Sequence, residues 1–167
     1  MNIIKNYSIA VLSSNLRDDA HHHATDVLAA VALSGKLGSK LYRVKYCNDA
    51  SSYSNLLDTW IEIVSGAAKR RNWPKESRAR KVATLSLEHY LKDICLVCKG
   101  RGHVPHGGID RVLSDEVCPC CNGTAKKRIE APHAILKYVQ EMVEMLESTA
   151  LQASDSANRR LSQEFHL

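Results

Sequence analysis

Residues 95–125 read CLVCKGRGHVPHGGIDRVLSDEVCPCCNGTA, from Cys95 to Ala125. Two C-x-x-C pairs stand in it, Cys95 with Cys98 and Cys118 with Cys121, and 19 residues separate them. That spacing lies in the range of four-thiolate zinc sites. A C-x-x-C pair has to bend sharply to aim both sulfurs at one ion. Glycine follows each pair, at Gly100 and Gly102 and at Gly123, and it tolerates the positive φ that such a bend requires. Four thiolates complete a tetrahedral shell and leave no position open for substrate. The stretch therefore reads as a structural clip for one Zn²⁺ held by Cys95, Cys98, Cys118 and Cys121. His103, His106 and Cys120 are lesser alternatives as ligands. Between the pairs, Gly107-Gly108 separates His103-Val104 from Arg111-Val112-Leu113, which predicts a short hairpin of the zinc-ribbon kind.

Outward from the clip, the chain reads as helices. The spacing of Leu57, Trp60, Ile61, Val64 and Ala68 predicts a helix over 55–71, opened by Ser54 or Asn55. It ends in Lys69-Arg70-Arg71, the sign that the helix dipole favours at that end, and Asn72-Trp73-Pro74 breaks it. A third helix over 76–93 carries Val82, Leu85, Tyr90 and Leu91 and runs straight into Cys95. After the clip, Pro132 suits a first helical position. Ile135, Val139, Met142 and Leu146, with Leu136 and Val143, form the apolar stripe of a helix over 132–148. Earlier in the chain, Val27 to Leu33 predicts a helix with Thr25 or Asp26 as its cap, and Gly35 and Gly38 end or weaken it. Leu37, Leu41, Tyr42 and Val44 begin another helix, and residues 48–54 read as turn. His21-His22-His23 is a polar run ahead of the first helix. The domain plan is an N-terminal segment over 1–24, a helical domain over 25–148 with the zinc module at 95–125, and a polar tail over 149–167.

Composition bounds the function. The 167 residues are 44% hydrophobic and 25% charged, ordinary values for a globular chain. No run approaches membrane-span length, and residues 1–12 do not read as a signal peptide. A cytoplasmic setting is expected, where clustered cysteines mean metal rather than disulfides. Cys47 and Cys120 are then plain thiols. The net charge is +5, concentrated in Lys69-Arg70-Arg71, in Arg78, Arg80 and Lys81, and in Lys126-Lys127-Arg128. Any one of these clusters could be a solvated helix end, but three of them around a zinc module favour nucleic acid. An enzyme is not expected. Nucleobase deaminases combine H-x-E with P-C-x-x-C, and no H-x-E occurs here.

Two stretches resemble the lambda Q-type late-gene antitermination proteins of bacteriophages. Thr25-Asp26-Val27-Leu28-Ala29-Ala30 is similar to the T-D-V-x-A-A signature of that family. Cys95 to Gly102 matches its C-x-x-C-x-G-x-G block, and Cys118 to Ala125 matches the second block except that Ala125 stands in place of the last glycine. The order of signature helix, further helices, zinc module, helix and short tail is also similar. DnaJ-type chaperones use the same cysteine unit, in four copies. This chain has two copies, and none of its four prolines follows a histidine as a J domain requires.

The resemblance implies a mainly α fold: a helical domain with an inserted zinc-ribbon-like four-cysteine module and a helix-turn-helix-like DNA-binding unit. It also implies a protein that binds double-stranded DNA at a late promoter. Such a protein loads onto sigma-containing bacterial RNA polymerase at a promoter-proximal pause and suppresses pausing and termination, with NusA as an assisting factor in the host cytoplasm. Under this reading the helix after the zinc is the recognition element. His133 and Lys137 then face bases, and Lys126, Lys127 and Arg128 face phosphates. Zinc would supply folding energy from residue 76 onward. The alternative is a DnaJ-like zinc-dependent protein-binding module.

Overall fold

The computed structural model describes residues 30–32, 35–47, 49–74, 76–105 and 113–164. The segment over 1–24, with its three histidines, lies outside these residues, as does the Thr25–Ala30 block apart from Ala30. Residues 30–32 are helical. Four helices follow: α1 (Lys36–Cys47), α2 (Ala50–Arg70), α3 (Glu76–Leu91) and α4 (His133–Glu164). Strands β1 (His103–Pro105) and β2 (Leu113–Val117) lie between α3 and α4 and pair antiparallel, His103 opposite Val117.

Helix α2 begins earlier than its apolar spacing predicts, and residues 50–54 are helix rather than turn. The cause is Asp49. Its carboxylate accepts the backbone N–H of Ser52 at 3.2 Å and the Ser52 hydroxyl at 2.7 Å, so the Asp and Ser residues that read as turn formers build an N-cap instead. At the far end Asn72 takes φ +51. The Asn72 N–H donates to the Lys69 carbonyl at 3.3 Å and the Trp73 N–H to the Ala68 carbonyl at 3.0 Å. This left-handed closure satisfies two of the last carbonyls of the helix. Gly38 does not end a helix: it lies inside α1, buried on its packed face.

The core is a four-helix contact. Leu56, Trp60 and Val64 of α2 meet Val82 and Leu87 of α3 and Val139, Met142 and Leu146 of α4, with Leu41 of α1 closing one side. Trp60 is fully buried, and its Nε1–H donates to the Ser86 hydroxyl at 3.0 Å. Ser86 in turn donates to the Ala83 carbonyl at 3.1 Å, so the buried polar pair is satisfied. Trp73 stacks on Tyr138 with ring centroids 4.4 Å apart. Lys126 is ion-paired with Glu147. Helix α4 therefore starts at the end where α2 gives way to α3 and runs back towards the cysteine module.

Through Glu164, the expected polar tail over 149–167 is the continuation of α4. Ala153, Ala157 and Leu161 recur every four residues and pack on Ala30, Val31 and Tyr42 in a second apolar cluster. Small residues set among Ser, Asp and Asn give a weak periodic signal. Only the partner surface from the N-terminal side makes the stripe recognisable.

Candidate metal centre

Helix α3 ends at Leu91, and the chain enters the module at Asp93. The Asp93 carbonyl accepts the Lys127 N–H at 2.6 Å, and Ile94 bridges Lys126 in antiparallel register. Entry and exit are thus zipped together at the base. Lys45 of α1 braces this point. Its Nζ donates to the Tyr90 carbonyl at 2.7 Å and pairs with the Asp93 carboxylate at 3.2 Å, and it lies 4.0 Å from the centre of the Tyr90 ring. Sequence reasoning missed both Lys45 and Asp93. A lone acid between a helix and a C-x-x-C pair carries no periodicity, and its partner is 48 positions away.

Above that base the two cysteine blocks are related by an approximate two-fold. The Cys95 N–H donates to the Ala125 carbonyl at 2.9 Å, and the Cys118 N–H to the Gly102 carbonyl at 2.8 Å. Within the blocks, the Arg101 N–H donates to the Cys98 carbonyl at 3.0 Å and the Thr124 N–H to the Cys121 carbonyl at 3.1 Å. The bridge Ile94–Lys126 corresponds to the pair Val117–His103. Left-handed φ recurs at equivalent places: Lys99 (+51), Gly100 (+79) and Gly102 (+78) in the first block, Asn122 (+50), Gly123 (+82) and Ala125 (+62) in the second. The departure at Ala125 thus keeps the bend that the glycine pattern calls for. Gly102 has no such latitude, because a Cβ there would meet the Gly123 carbonyl oxygen at 2.7 Å.

This backbone gathers the four sulfurs of Cys95, Cys98, Cys118 and Cys121 within 4.8 Å of one another, all buried. A tetrahedral ion with sulfur at about 2.3 Å requires sulfurs roughly 3.8 Å apart. Cys98 and Cys121 are at 3.7 Å, so the set fits one ion of that kind. The Cys95 thiol is held below the ordinary range, first by the Cys98 N–H. At Cys98, burial pushes upward, but the Gly102 N–H at 3.3 Å and the neighbouring thiols bring it down to about 6. Cys121 is pushed up to about 11 by burial and by Cys98 and Cys118. Four crowded thiols resist accumulating negative charge, and a divalent cation at their centre removes that resistance. His103 and Cys120 lie outside the four-sulfur group, and Cys120 is exposed. His106 is outside the described residues.

Two of the five candidate DNA-contact residues have acidic partners. Lys126 pairs with Glu147, and Lys127 pairs with Glu130 at 3.2 Å. Lys126, Lys127 and Arg128 are exposed at the exit of the module. His133 and Lys137 are exposed on one face at the start of α4. The 14 residues from His133 to Glu147 span about 21 Å of helix, which separates Lys126 from His133 along α4.

Fold and site together define a mainly helical protein with a buried four-cysteine cluster that could hold one metal ion. No protein-family model matches the chain, and no curated protein or solved structure matches it. Among the described residues, no helix is long and apolar enough to cross a membrane.

Proposed function

We propose that the protein is a zinc-clipped transcription antiterminator of the phage late-gene type. In this role it binds duplex DNA near a promoter, joins paused bacterial RNA polymerase and carries it through terminators. The observation that carries the reading is the paired C-x-x-C-x-G-x-G unit, folded with matching positive-φ bends and placed between the packed helices α3 and α4. The ion is zinc, because four buried thiolates form a soft, closed, tetrahedral set. Its work is structural: it holds α3 and the segment leading into α4 at a set separation, and α4 then presents His133 and Lys137. Helix-turn-helix geometry of this unit and the assistance of NusA belong to the same proposal. The test is transcription in vitro with purified bacterial polymerase, on a template carrying a late promoter and a downstream terminator. Read-through that rises with added protein and is lost on chelation supports the reading. Unchanged termination at saturating protein rejects it.

A second reading has its own observation. Ile94, Leu96, Val97 and Val117 of the cysteine module are 57%, 82%, 61% and 50% exposed. Apolar side chains on the outside of a metal clip suit contact with another polypeptide, as in a DnaJ-like protein-binding module. Suppression of aggregation of an unfolded client, lost in a Leu96→Ser/Val97→Ser variant, would favour this reading over the first.

A further inference from the structure

Residues 69–81, KRRNWPKESRARK, hold seven Lys or Arg and one Glu. The chain has 23 Lys and Arg against 18 Asp and Glu, so outside this stretch 16 cations face 17 acids. The whole positive excess of the protein thus resides in one segment, which takes in the end of α2 and the first turns of α3. Lys69, Arg70, Arg71, Arg80 and Lys81 are exposed.

Helix stability accounts for only half of this charge. Lys69 and Arg70 lie at the C-terminal end of α2, where the dipole favours cations. Arg80 and Lys81 lie in the second turn of α3, which begins at Glu76, beyond the reach of the helix dipole, so the dipole does not account for them. The α2 end of the corner is tied to α4. The left-handed closure at Asn72 ends α2, Trp73 stacks on Tyr138, and Arg71 pairs with Glu141 at 2.7 Å. These contacts place the corner beside the start of α4, where Lys137 is exposed.

We propose that the 69–81 corner, with Arg70, Arg80 and Lys81 as its main contacts and Lys137 beside them, is the surface that takes the phosphate backbone of duplex DNA. A cationic helix corner suits the phosphate rows of a duplex, and phosphate contacts set position and affinity rather than sequence. The proposal rests on the DNA-binding part of the function above, but not on antitermination. It assigns a secondary role to Lys126 and Lys127, which already have carboxylate partners.

The test compares the full-length metal-loaded protein with an Arg80→Gln/Lys81→Gln variant, an Arg70→Gln variant and a Lys126→Ala/Lys127→Ala/Arg128→Ala variant. Binding to a short mixed-sequence duplex is followed by fluorescence anisotropy across a salt series, with circular dichroism confirming that each variant is folded. Arg80→Gln/Lys81→Gln should lose about tenfold or more in affinity at low salt, and its log–log salt slope should fall by about 1.8, the value for two phosphate contacts. Arg70→Gln should lose about half that slope. Unchanged affinity and slope in the corner variants overturn the proposal, and they leave the proposed function standing if the 126–128 variant loses binding. Corner-dependent duplex binding without terminator read-through leaves the corner assigned and rejects antitermination. Absence of duplex binding by the parent protein, or corner-dependent binding to single-stranded RNA alone, overturns the duplex assignment.

Discussion

At single positions, the two halves of the cysteine module provide their own control. Gly102 and Ala125 occupy matching places, both with left-handed φ. Gly102→Ala drives a Cβ against the Gly123 carbonyl oxygen, 2.7 Å away, and should destabilise the module by about 1–3 kcal/mol. Ala125→Gly relieves a left-handed alanine and loosens the unfolded chain, two effects of about 1 kcal/mol that largely cancel. Thermal melts with excess zinc should therefore separate a clearly destabilised Gly102→Ala from a nearly neutral Ala125→Gly. Asp49 offers a second prediction. Hydrogen bonds from Ser51 and Ser52 hold its carboxyl well below the usual carboxylate range. A depressed folded-state pKa means that the cap's contribution is complete above the unfolded value and disappears as pH falls through the folded value. The Ser52 amide should keep its capped chemical shift to well below about pH 4 by NMR. Loss of the shift at the ordinary aspartate pKa would show that the cap does not form.

For the elements, the length of α4 is the point on which sequence and structure part. A polar tail over 149–167 predicts surface substitutions within about 0.5 kcal/mol. The observed helix buries Leu161 against the N-terminal cluster, so Leu161→Ala should cost about 2–3 kcal/mol, near the low end for buried leucine because the site is close to a helix end. Urea denaturation distinguishes the two. The gap has a plain physical cause. Leu57, Trp60, Ile61 and Val64 announce α2 because large apolar side chains repeat along one face. Ala153 and Ala157 are too small to register by themselves, and they become core only because Val31 and Tyr42 are brought against them. The same holds for Lys45 with Asp93 and Trp60 with Ser86, pairs that are distant in sequence and meet only after the helices have packed.

Considered whole, the molecule divides into an apolar helical core and a thiol cluster that do not share side chains. This alters the expected reach of metal removal. The sequence reading expects destabilisation from residue 76 onward. Yet α3 buries Val82, Ala83 and Leu87 against α2 and α4 without help from the cysteines. Chelation should instead abolish amide protection at Cys95, Cys118 and Lys127, whose N–H bonds lie inside the module or at its base. Far-UV circular dichroism should retain most of its helical signal. Cooperative loss of that signal would mean that the metal supports the whole fold.

The chemistry of the clip is legible in the chain without any fold. C-x-x-C spacing and the glycines after each pair are local, since a few consecutive φ angles decide where two sulfurs point. The three helices whose large apolar residues repeat at helical spacing are legible for a similar reason, because that pattern needs no partner to be read. Where the charge acts is a matter of packing. The basic end of α2 comes to lie beside the start of α4, where Lys137 stands, only when Trp73 packs on Tyr138. Lys126 acquires its acidic neighbour Glu147 only when the module folds back on α4. A side chain's charge is written in the chain; the field in which it stands is set by the elements packed around it.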